Sequence, residues 1–399
     1  MNPRLEKLQP YPFEKLSKLK ASVTANSALP HIAWSIGEPK HSPPQFVLDI
    51  MAKELPSICR YPMTKGLPEL RQSIVEWTTQ RFKLKPNTLT AEEHVLPVNG
   101  TREALFAFAQ AMIDPSTKPL VMMPNPFYQI YEGAALLAGA EPYYLNCVSN
   151  KQYLPELEKI TEKEWQRCQL FYICSPNNPS GSVFKKADYI KLLELADRYN
   201  FIIASDECYS EIYPDDKNPP IGLLEVCADI GRDNFERCVV FHSLSKRSNL
   251  PGLRSGFVAG DAKIIKHFLQ YRTYHGCAMS LPTQLASISA WSDEEHVIHN
   301  RTLYREKFNT VANILKHTWA LEQPEAGFNF WAKTPIDDEK FAQQLFEKQN
   351  ITVLPGSYLS RTAEGINPGE NYVRMALVAP IEECKEAANR INTFLQTQL

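Results

Sequence analysis

The 399-residue chain is predicted to fold as an α/β protein, with a mostly parallel sheet buried between helices and a second, smaller α/β unit. Three observations predict it. Short apolar runs alternate with helical patterns from about residue 94 to 242, those runs end in polar clusters, and beyond about 285 long helices dominate. The length suits about two domains.

Taken in order, the first fifty residues mix prolines at 3, 10, 12, 30, 39, 43 and 44 with short amphipathic stretches, as expected of an arm leading into a body. HVLPV at 94–98 then opens the alternation, followed by TREALFAFAQAMI, whose apolar residues Leu105, Phe106, Phe108, Ala109, Met112 and Ile113 fall at helical spacing. PLVMM at 119–123, QLFYIC at 169–174, FIIAS at 201–205 and CVVFH at 238–242 read as further strands, with a polar-faced helix over 185–199 between the second and third. Because these strands are continuously apolar rather than alternating, they fit a parallel sheet covered on both faces. Helices over 301–317 and 337–349, interrupted by ITVLP and YVRMALV, form the smaller unit. The expected division is an arm over 1–47 that also joins the small unit, a large domain over 48–290 and a small domain over 291–399.

Lys and Arg number 43 against 45 Asp and Glu, a net charge of −2, with 44% hydrophobic and 22% charged residues. This is a packed globular composition without the basic concentration that nucleic acid demands. No apolar run approaches the roughly 18 residues of a membrane span, and the charged N-terminus lacks a leader-like stretch, so the expected location is cytoplasmic. Nine cysteines without a CxxC pair read as buried thiols, and His296 with His299 as a surface or core pair lacking a partner; no metal site is expected.

The strand ends carry the chemistry. HVLPV runs into Asn99-Gly100-Thr101, QLFYIC into SPNNPSG, FIIAS into Asp206-Glu207-Cys208-Tyr209, and CVVFH into SLSK. Ligands of open α/β sheets bind beyond the carboxyl ends of the strands, so these clusters should meet in one crevice. Gly100 and Thr101 at a helix start suit a phosphate, although Asn99 or Thr101 as a simple N-cap reads equally well. Ser243, Ser245 and Arg254 in SLSKRSNLPGLR add two hydroxyls and a bidentate anion fork. Asp206, following an apolar strand, is expected to be partly buried and to need a cationic or donor partner. Lys246 is either a solvated lysine at the sheet edge or an amine whose pKa a desolvated, cationic site depresses. With Tyr209 and Asn178, these are the parts that hold pyridoxal 5′-phosphate.

At these residues the chain resembles the class I/II aminotransferases of the pyridoxal-phosphate fold type I, over nearly all its length. SLSKRSNLPGLRSG is similar to the family's lysine motif, which implies Lys246 as the lysine that carries the cofactor and Arg254 as a phosphate ligand. SPNNPSG implies Asn178, with Ser180 where threonine is commoner, and SDECYSEIY implies Asp206 and Tyr209. NPFYQIY implies Tyr128 stacked on the cofactor ring, and the helix-start residues Gly100, Thr101 and Arg102 join the cofactor set. RYPMTKGLPELR implies that Tyr61 reaches the phosphate of a neighbouring subunit, hence a homodimer with shared active sites. IGEP supplies Gly37 and NYVRMALVAP supplies Arg374, implied with Asn178 to bind substrate, Arg374 clamping its α-carboxylate. The fold implied is a mostly parallel seven-stranded sheet between helices, with small-molecule amino acids and 2-oxo acids as partners. FHSLSKRSNLPGLRSGFVAGD and GINPGENYVRMALVAP are most similar to the family's succinyldiaminopimelate transaminases, which implies transfer from glutamate in the diaminopimelate route to lysine. Other amino donors, or a pyridoxal-phosphate C–S β-lyase, are the alternatives.

Overall fold

The computed structural model describes residues 1–397. Seven strands form the central sheet: β1 (Val95–Val98), β2 (Leu120–Asn125), β3 (Glu141–Asn146), β4 (Cys168–Cys174), β5 (Ile202–Asp206), β6 (Cys238–Ser243) and β7 (Gly256–Gly260). Their order is β1-β7-β6-β5-β4-β2-β3, and β7 alone runs against the others. The reason is connection length. The dozen residues between β6 and β7 hold only short helical turns, too little for the crossover a parallel neighbour requires.

Within each central strand, alternate residues enter different cores. Met122, Phe171, Ile173, Ile203 and Val240 pack on one face, and Val121, Met123, Tyr172, Ala204 and Phe241 on the other. The continuous apolar runs are thus explained by helices on both sides. EPYYLN and GFVAG escape the sequence reading: β3 is a half-exposed edge strand, and β7 is a short stretch bounded by glycines.

A smaller sheet has antiparallel order β9-β10-β8, from β8 (Asn329–Lys333), β9 (Leu354–Pro355) and β10 (Tyr372–Ala376). ITVLP, read as one strand, is divided: Ile351–Thr352 pairs in parallel with Ile32–Ala33, and Leu354–Pro355 pairs with β10. Ile32 and Trp34 accordingly join a core with Phe330, Phe341, Val373 and Phe394. The helix expected over 301–317 runs Glu295–Leu315, and that expected over 337–349 runs Asp338–Gln349. Among the described residues, no helix is long and apolar enough to cross a membrane. All nine cysteines are free thiols, six of them buried. His296 is not partnerless as the sequence reading held: its ring bonds Asp293, one helical turn before it, and Ser248 Oγ at 2.8 Å.

Candidate active site

Because β1, β4, β5 and β6 run the same way, their carboxyl ends open on one edge, and there lies a cavity of about 520 Å³. Gly37, Thr101, Arg102, Tyr128, Asn178 and Asp206 line it. So do Tyr209, Ser243, Ser245, Lys246, Arg254 and Arg374. Gly100 stands immediately behind: a Cβ built there would lie 2.3 Å from Arg254 Nη2, and its φ of +82° is one that glycine adopts without strain. Tyr61 is the exception. Its ring is fully exposed and lies outside its own chain's cavity.

The phosphate corner is built from backbone first. The helix Thr101–Met112 starts on Gly100 with no side-chain cap, leaving its first N–H groups to a ligand and removing the alternative of Asn99 as cap. Ser243 Oγ accepts from the Ser245 N–H at 3.0 Å and donates to Ser245 Oγ at 2.9 Å, which fixes both hydroxyls. Arg254 donates to the Pro251 and Asn99 carbonyls at 2.9 and 3.3 Å, so its fork is held beside Gly100. Gly100→Ala is expected to push this guanidinium aside and strain the turn, weakening cofactor binding roughly tenfold or more, as equilibrium dialysis of the cofactor should read.

Asp206 ends β5 and is 6% exposed. Tyr131 Oη donates to its Oδ2 at 2.7 Å and the Cys208 N–H to its Oδ1 at 3.3 Å. Burial pushes its carboxyl pKa up, against these two donors. No lysine or arginine among the described residues pairs with it, so the protein leaves a buried carboxylate that a protonated ring nitrogen would complete. Tyr131 itself stacks on Tyr172 at 4.8 Å between centroids.

Lys246 Nζ donates to the Gly37 carbonyl at 2.5 Å and lies 5.2 Å from the centre of the Phe328 ring. Burial, helped by Arg374 and Arg102, lowers its pKa to about 8. The sheet-edge alternative is thereby removed: this amine is desolvated, not snorkelling.

Arg374, 6% exposed at mid-β10, donates to Asn178 Oδ1 at 3.1 Å and the Ser35 carbonyl at 2.7 Å, while its buried Nε has no partner. A carboxylate arriving from the cavity side would satisfy it. Tyr209 meets Phe328 edge-on at 5.2 Å, and burial pushes its phenol pKa well up. Arg102 Nε donates to Tyr128 Oη at 2.6 Å, tying the helix start to the expected stacking ring. Cys208 Sγ touches Thr101 Oγ1 at 3.0 Å, joining two strand ends.

Sequence reasoning missed Tyr131, Ser35 and Phe328. Tyr131 follows Tyr128 by three residues in NPFYQIY, a helical spacing that was available as a signal; Ser35 acts through its backbone and left none.

The family model for aminotransferase class I and II matches residues 30–391. The chain is 30% identical over 397 residues to the LL-diaminopimelate aminotransferase of Maridesulfovibrio salexigens, covering 98% of this chain and 97% of that one. Among solved structures it is similar to an aminotransferase from Neisseria meningitidis, with a TM-score of 0.95, 49% identity and coverage of 99% and 100%. It is also similar to a probable N-succinyldiaminopimelate aminotransferase from Thermus thermophilus, with a TM-score of 0.84, 25% identity and coverage of 96% and 99%.

Proposed function

Since the chain belongs to the class I and II aminotransferases, which work with pyridoxal 5′-phosphate, we propose that it moves an amino group between glutamate and an N-succinylated keto acid of the diaminopimelate route, with 2-oxoglutarate as the other product. The single observation that carries the amino-transfer reading is Arg374, a buried guanidinium that has no carboxylate partner among the described residues and lines the cavity also holding Lys246 and Asp206. A substrate carboxylate held there is retained, which favours amino transfer over decarboxylation.

The residues present suit the cofactor. The uncapped helix start at Gly100 and Thr101, with Ser243, Ser245 and Arg254, would hold its phosphate; Asp206 its ring nitrogen; Tyr128 its face; Asn178 and Tyr209 its ring oxygen. Bound pyridoxal phosphate supplies an electron sink for the pair left when a substrate Cα–H bond breaks. Lys246 Nζ would hold the cofactor through its aldehyde carbon and, as a free amine, would take the substrate Cα proton. Its lowered pKa keeps a usable share of it neutral. Asp206, whose carboxylate accepts from Tyr131 and the Cys208 N–H, would keep the cofactor's ring nitrogen protonated. Arg374 fixes the substrate by its carboxylate.

The finer substrate rests on the likeness of the Lys246 and Arg374 segments to succinyldiaminopimelate transaminases and on the Thermus protein's name. The name of the Maridesulfovibrio relative supports LL-diaminopimelate as the second reading. We further propose a homodimer in which Tyr61, exposed beside Ile58 and Met63, enters the neighbouring cavity. A panel of amino donors offered with 2-oxoglutarate, read by glutamate formation, separates these readings. Succinylated diaminopimelate is expected to be the preferred donor in the reverse direction; preference for free LL-diaminopimelate or for aromatic donors overturns the substrate, and release of pyruvate with ammonia from cysteine conjugates would favour a β-lyase.

A further inference from the structure

Outside the cavity, the structure gathers three side chains of metal-binding type from two elements. Glu103 stands in the first turn of the helix Thr101–Met112, and the helix Ala262–His275 ends on His275, where Gly276, at φ +82°, turns the chain back to present Cys277. One ligand atom from each lies within 4.8 Å of the others, and Cys277 Sγ is 3.1 Å from His275 Nδ1.

Two features distinguish this cluster from a chance meeting. Fully buried Arg272 pairs with Glu103 Oε1 and donates to the Cys277 carbonyl at 3.4 Å, so one cation orients both the carboxylate and the loop that brings the thiol. That arrangement leaves Glu103 Oε2 buried without a hydrogen-bond partner. A neighbouring group that holds one carboxylate oxygen while the other is left free is how metal-ligating carboxylates are commonly oriented. His275 is exposed and rests against Tyr271 at 5.6 Å, leaving the cluster open to entry from solvent.

We propose that Glu103, His275 and Cys277 bind a zinc ion, with a water in the fourth position. One thiolate, one imidazole and one carboxylate oxygen match the borderline-soft character of Zn²⁺, and tetrahedral bonds of about 2.0–2.3 Å place such donors roughly 3.5 Å apart, a small contraction for an exposed histidine and a loop cysteine. Binding replaces the S–H bond by an S–Zn bond and releases that proton to solvent. Through Glu103 the ion would load the turn that begins at Thr101.

The test uses the cofactor-loaded enzyme, stripped of metal by a chelator and titrated with Zn²⁺ against a chromophoric indicator, with Co²⁺ as a spectroscopic probe. One zinc per chain is expected, with release of about one proton and tetrahedral Co²⁺ bands including thiolate charge transfer. Cys277→Ser and His275→Ala should each weaken binding roughly 100-fold, whereas Cys59→Ser, at an exposed thiol elsewhere, should not change it. Cofactor absorbance and melting temperature verify that each variant is folded. Unchanged affinity in folded Cys277→Ser or His275→Ala, or no zinc retained by the parent enzyme, overturns the site.

Discussion

Lys246→Ala is expected to abolish covalent capture of pyridoxal phosphate and to lower amino transfer by roughly 10⁴-fold, since one nitrogen supplies both the anchor and the base. Borohydride reduction followed by peptide mass spectrometry checks the first half: the parent enzyme should yield a reduced pyridoxyl adduct on Lys246, the variant none. An adduct on another lysine, or undiminished turnover in the variant, would end the assignment. The lowered pKa gives the same amine a distinct pH signature. An ordinary lysine, with a pKa near 10.4, is neutral in only about one molecule in 2,500 at pH 7. With a value of about 8, about a tenth is neutral at that pH. Capture of added cofactor by the apoenzyme should therefore quicken about tenfold per pH unit below 8 and level off above it, measured by the growth of the cofactor's absorbance.

Asp206→Asn is expected to leave the cavity's shape intact and to cost about 100- to 1,000-fold in kcat, because the buried negative charge opposite the ring nitrogen is what sustains its proton. A loss under tenfold would mean that the carboxylate is not the partner of that nitrogen. Tyr131→Phe isolates the contribution of one hydrogen bond. Removing an O–H donor to an ionised carboxylate raises the pKa of the acid, which burial has already pushed up. The expected result is a loss of about tenfold, with the acid limb of the pH profile displaced to higher pH. An unmoved limb would assign Tyr131 a packing role through Tyr172 alone.

The parts of the site legible in the sequence were those at the ends of strongly apolar strands. There the contrast between a buried run and an abrupt polar residue is large, as at FIIAS before Asp206 or CVVFH before Ser243. Where contrast is weak the reading failed. β3 is an edge strand and needs few apolar residues, β7 is bounded by glycines, and ITVLP shows no internal mark of its division between two sheets. The third residues of the cavity were obscured for another reason. Ser35 acts through its carbonyl oxygen, which every residue has, so nothing in its side chain announces the Arg374 contact, and Gly37, which receives Lys246 in the same way, was legible only through the resemblance of IGEP. The Glu103, His275 and Cys277 cluster joins positions more than 170 residues apart in the chain, and spacing rules for metal motifs do not reach so far.

One arrangement ties Arg374 and Lys246 together. The segment after Ile32–Ala33 is stitched to β10 by the Ala376 N–H on the Trp34 carbonyl at 2.7 Å and by Arg374 on Ser35, and two residues later Gly37 receives Lys246. A few peptide units thus form a shared shelf, with the Arg374 guanidinium gripping one carbonyl and the Lys246 amine resting on another. Whatever tugs the guanidinium also tilts the perch of the amine, so the two behave as one instrument, and damage at one end is already partly counted at the other.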